Sequence, residues 1–295
     1  MEKYIQDFLN AQRLPASFVQ TIESWYQPLA GNIARHQESS HGPLMVGING
    51  SQGSGKSTLA ALLALMLHEK HGLDTVTLSL DDFYLTRDAR ARLAEQVHPL
   101  LATRGVPGTH DVPMLRDCLS TLRKLEPGEH CRLPRFDKAA DDRAGEASWP
   151  GVPGPVDVVI LEGWCVGSAA EPDAGLEVPV NELEAERDAD GRWRRYVNER
   201  LRTDYAAVFA ELDALVFLQA PDFESILRWR IEQEQKLAAA TEATAGGVMN
   251  PRQVAAFIRY FERITRRNLD VIRSSADIVL ELDEYHDCVA AHYRS

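Results

Sequence analysis

Five short runs along the chain are apolar and bounded by turn residues: 44–50 (LMVGING), 74–80 (DTVTLSL), 157–163 (DVVILEG), 214–219 (ALVFLQ) and 277–282 (DIVLEL). Each has strand length, and hydrophobicity that continues rather than alternates predicts strands covered on both faces. Helical stretches fall at 56–71, 112–124, 192–212, 222–239 and 251–274. Strands joined through crossover helices predict an α/β fold with a mainly parallel sheet flanked by helices. Ahead of the first strand, Tyr4, Ile5, Phe8, Leu9, Phe18, Ile22, Trp25 and Tyr26 recur at helical spacing, so residues 1–43 read as a helical extension. Two segments break the alternation: 144–155 is rich in Gly and Pro and reads as a loop, and 171–190 is acid-rich with Pro172 and Pro179. Neither is long enough for an independent domain, and no repeat or linker divides the chain. The expectation is one domain over 1–295, with its core at 44–295.

Composition narrows the function classes. The 295 residues are 44% hydrophobic and 26% charged, the proportions of an ordinary globular protein. With 32 Lys and Arg against 44 Asp and Glu, the formal charge is −12, which argues against nucleic-acid and membrane partners. An anionic ligand must find a local basic pocket. Cys118, Cys131, Cys165 and Cys288 form no C-x-x-C pair, which suits free thiols in a reducing compartment. The N-terminus MEKYIQDFLN lacks the basic start and apolar core of a secretory signal. The longest apolar run, 59–67, is too short for a bilayer, which needs about 20 residues. These features point to a cytoplasmic protein and leave the oligomeric state open.

Gly50-Ser51-Gln52-Gly53-Ser54-Gly55-Lys56-Ser57 matches G-x-x-x-x-G-K-[ST], directly after a predicted strand and at the head of a predicted helix. Its glycines let successive backbone N–H groups turn toward a phosphate, and the helix N-terminus adds its positive dipole end. Residues Gly50 to Ser57, with Thr58 behind them, are the expected nucleotide cradle. Lys56 would reach the β and γ phosphates, and the Ser57 hydroxyl would coordinate Mg²⁺. The competing reading, a Gly/Ser turn with an exposed lysine, is disfavoured by the strand and helix on either side. The fold class sharpens to a three-layer P-loop NTPase fold. The loop alone does not separate a kinase from a GTPase, a motor or a switch.

Carboxylates at strand ends bear on that choice. Asp81 and Asp82 close the second strand-like run, where open α/β sheets place their ligands. Asp81 there can take the proton of a substrate hydroxyl and touch the Mg²⁺ shell. The alternative for either residue is a helix cap. Glu162-Gly163 ends the most hydrophobic strand in the manner of a Walker B element, with Glu in place of Asp, and would hold Mg²⁺ directly or through water. The alternative is a simple strand-to-loop turn.

The loop, Ser79-Leu80-Asp81-Asp82-Phe83 as S-x-D-x-F, and a strand ending in Glu162-Gly163 together resemble the P-loop kinases that include phosphoribulokinase, uridine kinase and bacterial pantothenate kinase. Arg104–Asp111 (RGVPGTHD), Pro134–Lys138 (PRFDK), Trp149-Pro150 and Trp229–Glu234 (WRIEQE) are similar to the D-glycerate 3-kinase group. The likeness runs from about residue 44 onward. It implies phosphorylation of a small hydroxylated acid, most directly D-glycerate to 3-phosphoglycerate, with ATP and Mg²⁺ as cofactors and Asp81 as the base.

A small acid needs a local cation to neutralise it. Arg104, Arg135 and Lys138 lie in turn-rich segments that would fold over the substrate, with His110 and Asp111 placed to bind its hydroxyls; Asp82, Tyr84 and Asp137 complete the candidate substrate contacts. The alternative is that these are solvated loop charges, or that Asp111 caps the helix beginning near Val112. Arg228 and Arg230 would bring charge onto the transferring phosphate from a lid at about 228–247, with 238–247 as its small, Gly-ended tip. Against this stands an amphipathic helix with paired charges. Rival functions are a kinase for a nucleoside, pantothenate or sugar acid, and a nucleotide-binding regulatory ATPase.

Overall fold

In a computed structural model, residues 2–240 and 249–294 are described, so most of the lid tip expected at 238–247, its residues 241–247, lies outside the described residues. The strands are β1 (Leu44–Gly50), β2 (Thr75–Ser79), β3 (His130–Arg132), β4 (Phe136–Asp137), β5 (Asp142–Arg143), β6 (Gly151–Pro153), β7 (Val158–Gly163), β8 (Ala214–Gln219), β9 (Ile278–Leu282) and β10 (Cys288–Tyr293). Six of them form one sheet in the order β10-β9-β8-β1-β7-β2. Every pairing in it is parallel except that of β10 with β9. The five predicted strands are its five parallel members.

Burial explains the run-like hydrophobicity. β1 and β7 are buried at every position. Val158 and Ile160 of β7 face one apolar cluster and Val159 and Leu161 face the other. β2 closes the sheet's far end and alternates, with Val76 and Leu78 buried between half-buried threonines and Ser79. The helix Lys56–His71 buries Leu59, Ala60, Leu62, Leu63, Met66 and Leu67. It is covered in turn by the helices Lys3–Gln12 and Gln27–Glu38, whose Ile5, Leu9, Leu29 and Ile33 belong to the same cluster. The helical extension is therefore the outer layer of that face.

Several elements differ from their sequence outlines. The 192–212 stretch is a helix (Arg192–Arg200) that widens into a π-turn at Leu201–Tyr205 before Ala206–Phe209. The 251–274 stretch breaks between Pro251–Ile258 and Glu262–Val271. The loop at 144–155 contains β6, which pairs with β3. The acidic 171–190 segment is pinned by Arg263, which donates to Glu184 at 2.8 and 2.7 Å and to Glu171 at 2.9 Å.

Candidate active site

β1 delivers its last residue, Gly50, to the loop, and the helix begins at Lys56. Gly53 and Gly55 have φ of +82° and +87°, the left-handed region that side chains avoid. A Cβ on Gly50 would lie 2.5 Å from Ser54 Oγ, so the loop's tight closure also depends on glycine there. Gly53 rests on Trp229, whose Cβ would be 3.1 Å from an added Cβ. The buried Ser51 Oγ, Gln52 Oε1 and Ser54 Oγ have no hydrogen-bond partner among the described residues. Buried polar atoms are normally satisfied, so their clustering on a glycine-rich turn fits a phosphate-bearing ligand.

Parallel pairing of β2 with β7 sets Ser79 beside Glu162. Hence the turn Leu80–Phe83, which carries Asp81, and the Walker B glutamate meet at the same end of the sheet. Ser57 Oγ donates to Glu162 Oε1 at 2.8 Å, and the buried Glu162 Oε2 has no partner among the described residues. A hydroxyl and a carboxylate at the phosphate loop suit Mg²⁺, which takes few protein ligands and completes its shell with phosphates and water. Among the described residues no group of three or more His, Cys, Asp or Glu is placed to hold a metal by itself.

Asp81 is held on both oxygens: Oδ1 accepts from the Tyr84 hydroxyl at 2.9 Å and Oδ2 from Lys138 Nζ at 2.7 Å. Burial pushes its pKa up, but the adjacent Lys138 and the nearby Lys56 outweigh burial and hold the carboxyl below its ordinary value. Asp82 is raised, because burial outweighs the amide of Phe136 and the charge of Arg135. Its oxygens accept from Arg135 Nη1 and from Phe136 N, both at 3.2 Å, and so tether the β4–β5 hairpin that carries Lys138. The cleft these elements enclose measures about 580 Å³ and is bordered by Gln52, Gly53, Lys56, Ser57, Asp81, Asp82, Tyr84, Arg104, Lys138, Glu162 and Arg230.

Other candidates stand elsewhere. His110 is buried, stacked on Tyr84 with centroids 4.4 Å apart and bonded through Nδ1 to the Tyr205 hydroxyl at 2.5 Å. Burial lowers its pKa to about 4, so it supports the wall behind Tyr84 as a neutral ring and does not reach the cleft as a hydroxyl ligand. Asp111 caps the helix Val112–Arg123 by accepting from Met114 N at 3.1 Å, and it pairs with Arg143. Asp137 accepts from the amides of Ala139 and Ala140, fixing the hairpin turn. Arg135 is spent on Asp82 and on the Pro134 carbonyl. Arg228 donates to Ser225 Oγ at 2.8 Å and lies 3.7 Å from Glu284, away from the cleft, whereas Arg230 borders the cleft and pairs with Glu234. Thr58 lies in the first turn of the helix and is absent from the cleft wall. Sequence reasoning missed Trp164, Gln233, Phe257 and Phe261 as cleft residues. Trp164 follows Glu162-Gly163 directly, which is the one signal that pointed to it.

No family model matches the chain. Among curated proteins, it is 35% identical over 232 residues to the uncharacterized kinase mug58 of Schizosaccharomyces pombe, covering 74% of this chain and 78% of that one. It is 33% identical over 230 residues to the chloroplastic D-glycerate 3-kinase of Arabidopsis thaliana, covering 73% of this chain and 45% of that longer protein. The solved structure of D-glycerate 3-kinase from Cryptococcus neoformans matches with a TM-score of 0.75 at 28% identity, over 92% of this chain and 99% of that one. Fold, phosphate loop and relatives together define a P-loop small-molecule kinase. Within that class the chain belongs to the D-glycerate 3-kinase-like family.

Proposed function

We propose that the protein transfers the γ-phosphoryl group of ATP to a hydroxyl of a small organic acid, most directly D-glycerate to give 3-phosphoglycerate. The observation that carries this is the pairing of Asp81 with Lys138 in a cleft that has the phosphate loop on one side and Arg104 on the other. On this reading Ser57 and Glu162 hold Mg²⁺, which neutralises phosphate charge when bound. Tyr84 orients the Asp81 carboxylate, and Asp81 takes the acceptor's proton as its oxygen bonds to phosphorus and the β,γ-bridging oxygen leaves with ADP. Donors on both Asp81 oxygens favour the ionised form that a base requires and leave the metal to the other two residues; the acceptor's proton reaches the carboxylate once one donor gives way. Lys56 spreads the developing charge, joined by Arg230 when the nucleotide's phosphates draw it from Glu234.

A nucleoside acceptor would call for an aromatic platform. Trp164 and Phe261 are each only 3% exposed and packed edge-on with centroids 4.9 Å apart, and Tyr84 is 4% exposed and stacked on His110, which among the described cleft residues leaves Phe257 for stacking. No helix among the described residues is long and apolar enough to cross a membrane. Placement in the cytoplasm and a single-domain organisation over 1–295 belong to the same proposal. The test is ATP consumption with D-glycerate, sugar acids, pantothenate and nucleosides, followed by phosphorus NMR of the product. Stimulation by D-glycerate with phosphate on its terminal hydroxyl is expected. Acceptor-independent hydrolysis, or preference for another acceptor, overturns it.

A further inference from the structure

The Asp81–Lys138 pair has a consequence for how the site distinguishes its acceptors. Lys138 sits on the turn of the β4–β5 hairpin, whose backbone is held from several directions: Asp82 accepts from Phe136 N, Arg104 Nη2 donates to the Lys138 carbonyl at 3.4 Å, and Arg90 Nη2 donates to the Asp141 carbonyl at 2.7 Å. Its base is fixed, but its side chain is 61% exposed and ends on a flexible four-carbon stem. The ammonium occupies Asp81 Oδ2, while Oδ1 is committed to Tyr84. A hydroxyl offered to Asp81 therefore finds both oxygens engaged. Arg104, the other cation on this side of the cleft, is committed to Asp141 and stacks over Phe136 at 5.4 Å.

We propose that Lys138 is a specificity-determining lock on Asp81, released by an acceptor that brings its own anion. This rests on the reading of Asp81 as the base. An acid's carboxylate draws the Lys138 ammonium off Oδ2 and onto itself. The freed oxygen then receives the acceptor's proton as the new O–P bond forms. Water and neutral alcohols offer the ammonium no anion and leave the lock closed. An ion pair as exposed as this one is weak, so exchange is easy, and the lock discriminates by a modest factor.

The test uses the full-length chain with Lys138→Met and Asp81→Asn variants. In Lys138→Met, acceptor-free ATP hydrolysis and glycerol phosphorylation should each rise about 3- to 5-fold, the factor an exposed ion pair of this kind supplies. D-Glycerate binding, titrated calorimetrically without nucleotide, should weaken about 10- to 100-fold through loss of a charge-assisted contact. Asp81→Asn should instead bind D-glycerate about 3- to 5-fold more tightly, because its ammonium is no longer held. Lys138→Arg should restore the preference for the acid. The lock is overturned if Lys138→Met lowers hydrolysis and both acceptors together, or if Asp81→Asn binds D-glycerate no better than wild type. Should wild type neither bind nor phosphorylate D-glycerate, the proposed function fails and takes the lock with it. Should wild type do both while the variants fail to diverge, only the lock is lost.

Discussion

Replacing Glu162 with Gln separates a metal-holding carboxylate from a residue that only ends a strand. Glu162 is 6% exposed, its Oε1 accepts from Ser57 Oγ at 2.8 Å and its buried Oε2 has no partner among the described residues. The amide keeps the shape and can still accept from Ser57, so the ligand-free protein gives up little: a charge-assisted hydrogen bond becomes a neutral one, and an unpaired buried oxygen becomes an unpaired amide nitrogen. The change in unfolding free energy should stay within about 1 kcal/mol. With ATP and Mg²⁺ the carboxylate's charge matters fully, and its loss should cost about 1.5–3 kcal/mol, or roughly 10- to 150-fold in the Mg²⁺ concentration giving half-maximal activity. Thermal melting with ATP, in the presence and absence of Mg²⁺, reads both quantities. Wild type should gain from Mg²⁺ a stabilisation that Glu162→Gln largely lacks, while the ligand-free melts nearly coincide. An unchanged Mg²⁺ dependence, or a ligand-free melt that falls by more than the ligand shift, would make Glu162 a structural turn residue and refute the Walker B assignment.

Asp81→Asn should lower D-glycerate turnover about 10²- to 10⁴-fold, the usual worth of a positioned base, with ATP affinity little changed in a fluorescent-nucleotide titration. Arg263→Met strands Glu184, which is 1% exposed, and should cost about 3–5 kcal/mol of stability, measured as the shift in the urea midpoint at constant slope. His110 has a folded pKa of about 4 against about 6.5 unfolded, so between those values the unfolded chain binds the extra proton and stability falls as pH falls. The loss should reach about 3 kcal/mol near pH 4 and be absent above about pH 7. His110→Gln should flatten that limb in denaturation curves; an unflattened limb would exclude His110 as its source.

The parallel sheet was legible because its strands are covered on both faces, which leaves a plain mark in the sequence. Elements held by polar contacts left no such mark. The helix Arg87–Gln96 turns inward not a leucine but Arg90, 1% exposed, whose guanidinium donates to the carbonyls of Leu85, Ala102 and Asp141. No apolar periodicity reports such an arrangement. β10 is an edge strand with only Cys288 buried, and β4 and β5 are two residues each, so their pairing depends on what they are tethered to. Asp82 does that tethering, from a position 54 residues before Phe136.

That same tether explains why the phosphate side of the cleft was more legible than the acceptor side. The loop, Ser57 and the strand that ends at Glu162 are local patterns whose geometry follows from one strand-turn-helix and one parallel pairing. Acceptor-side charge is a different matter, because a basic residue counts only if its nearest acid leaves it free. Arg135 is paired with Asp82, Arg143 with Asp111, Arg104 with Asp141 and Arg228 with Glu284, and sequence spacing announces none of these. A chain of formal charge −12 has acids enough to quench most of its cations. The cations left for an anionic ligand are those with no ion pair among the described residues, such as Lys56, and those whose partner the ligand itself can replace. Lys138 is of the second kind, since the acid it holds is the one the reaction requires.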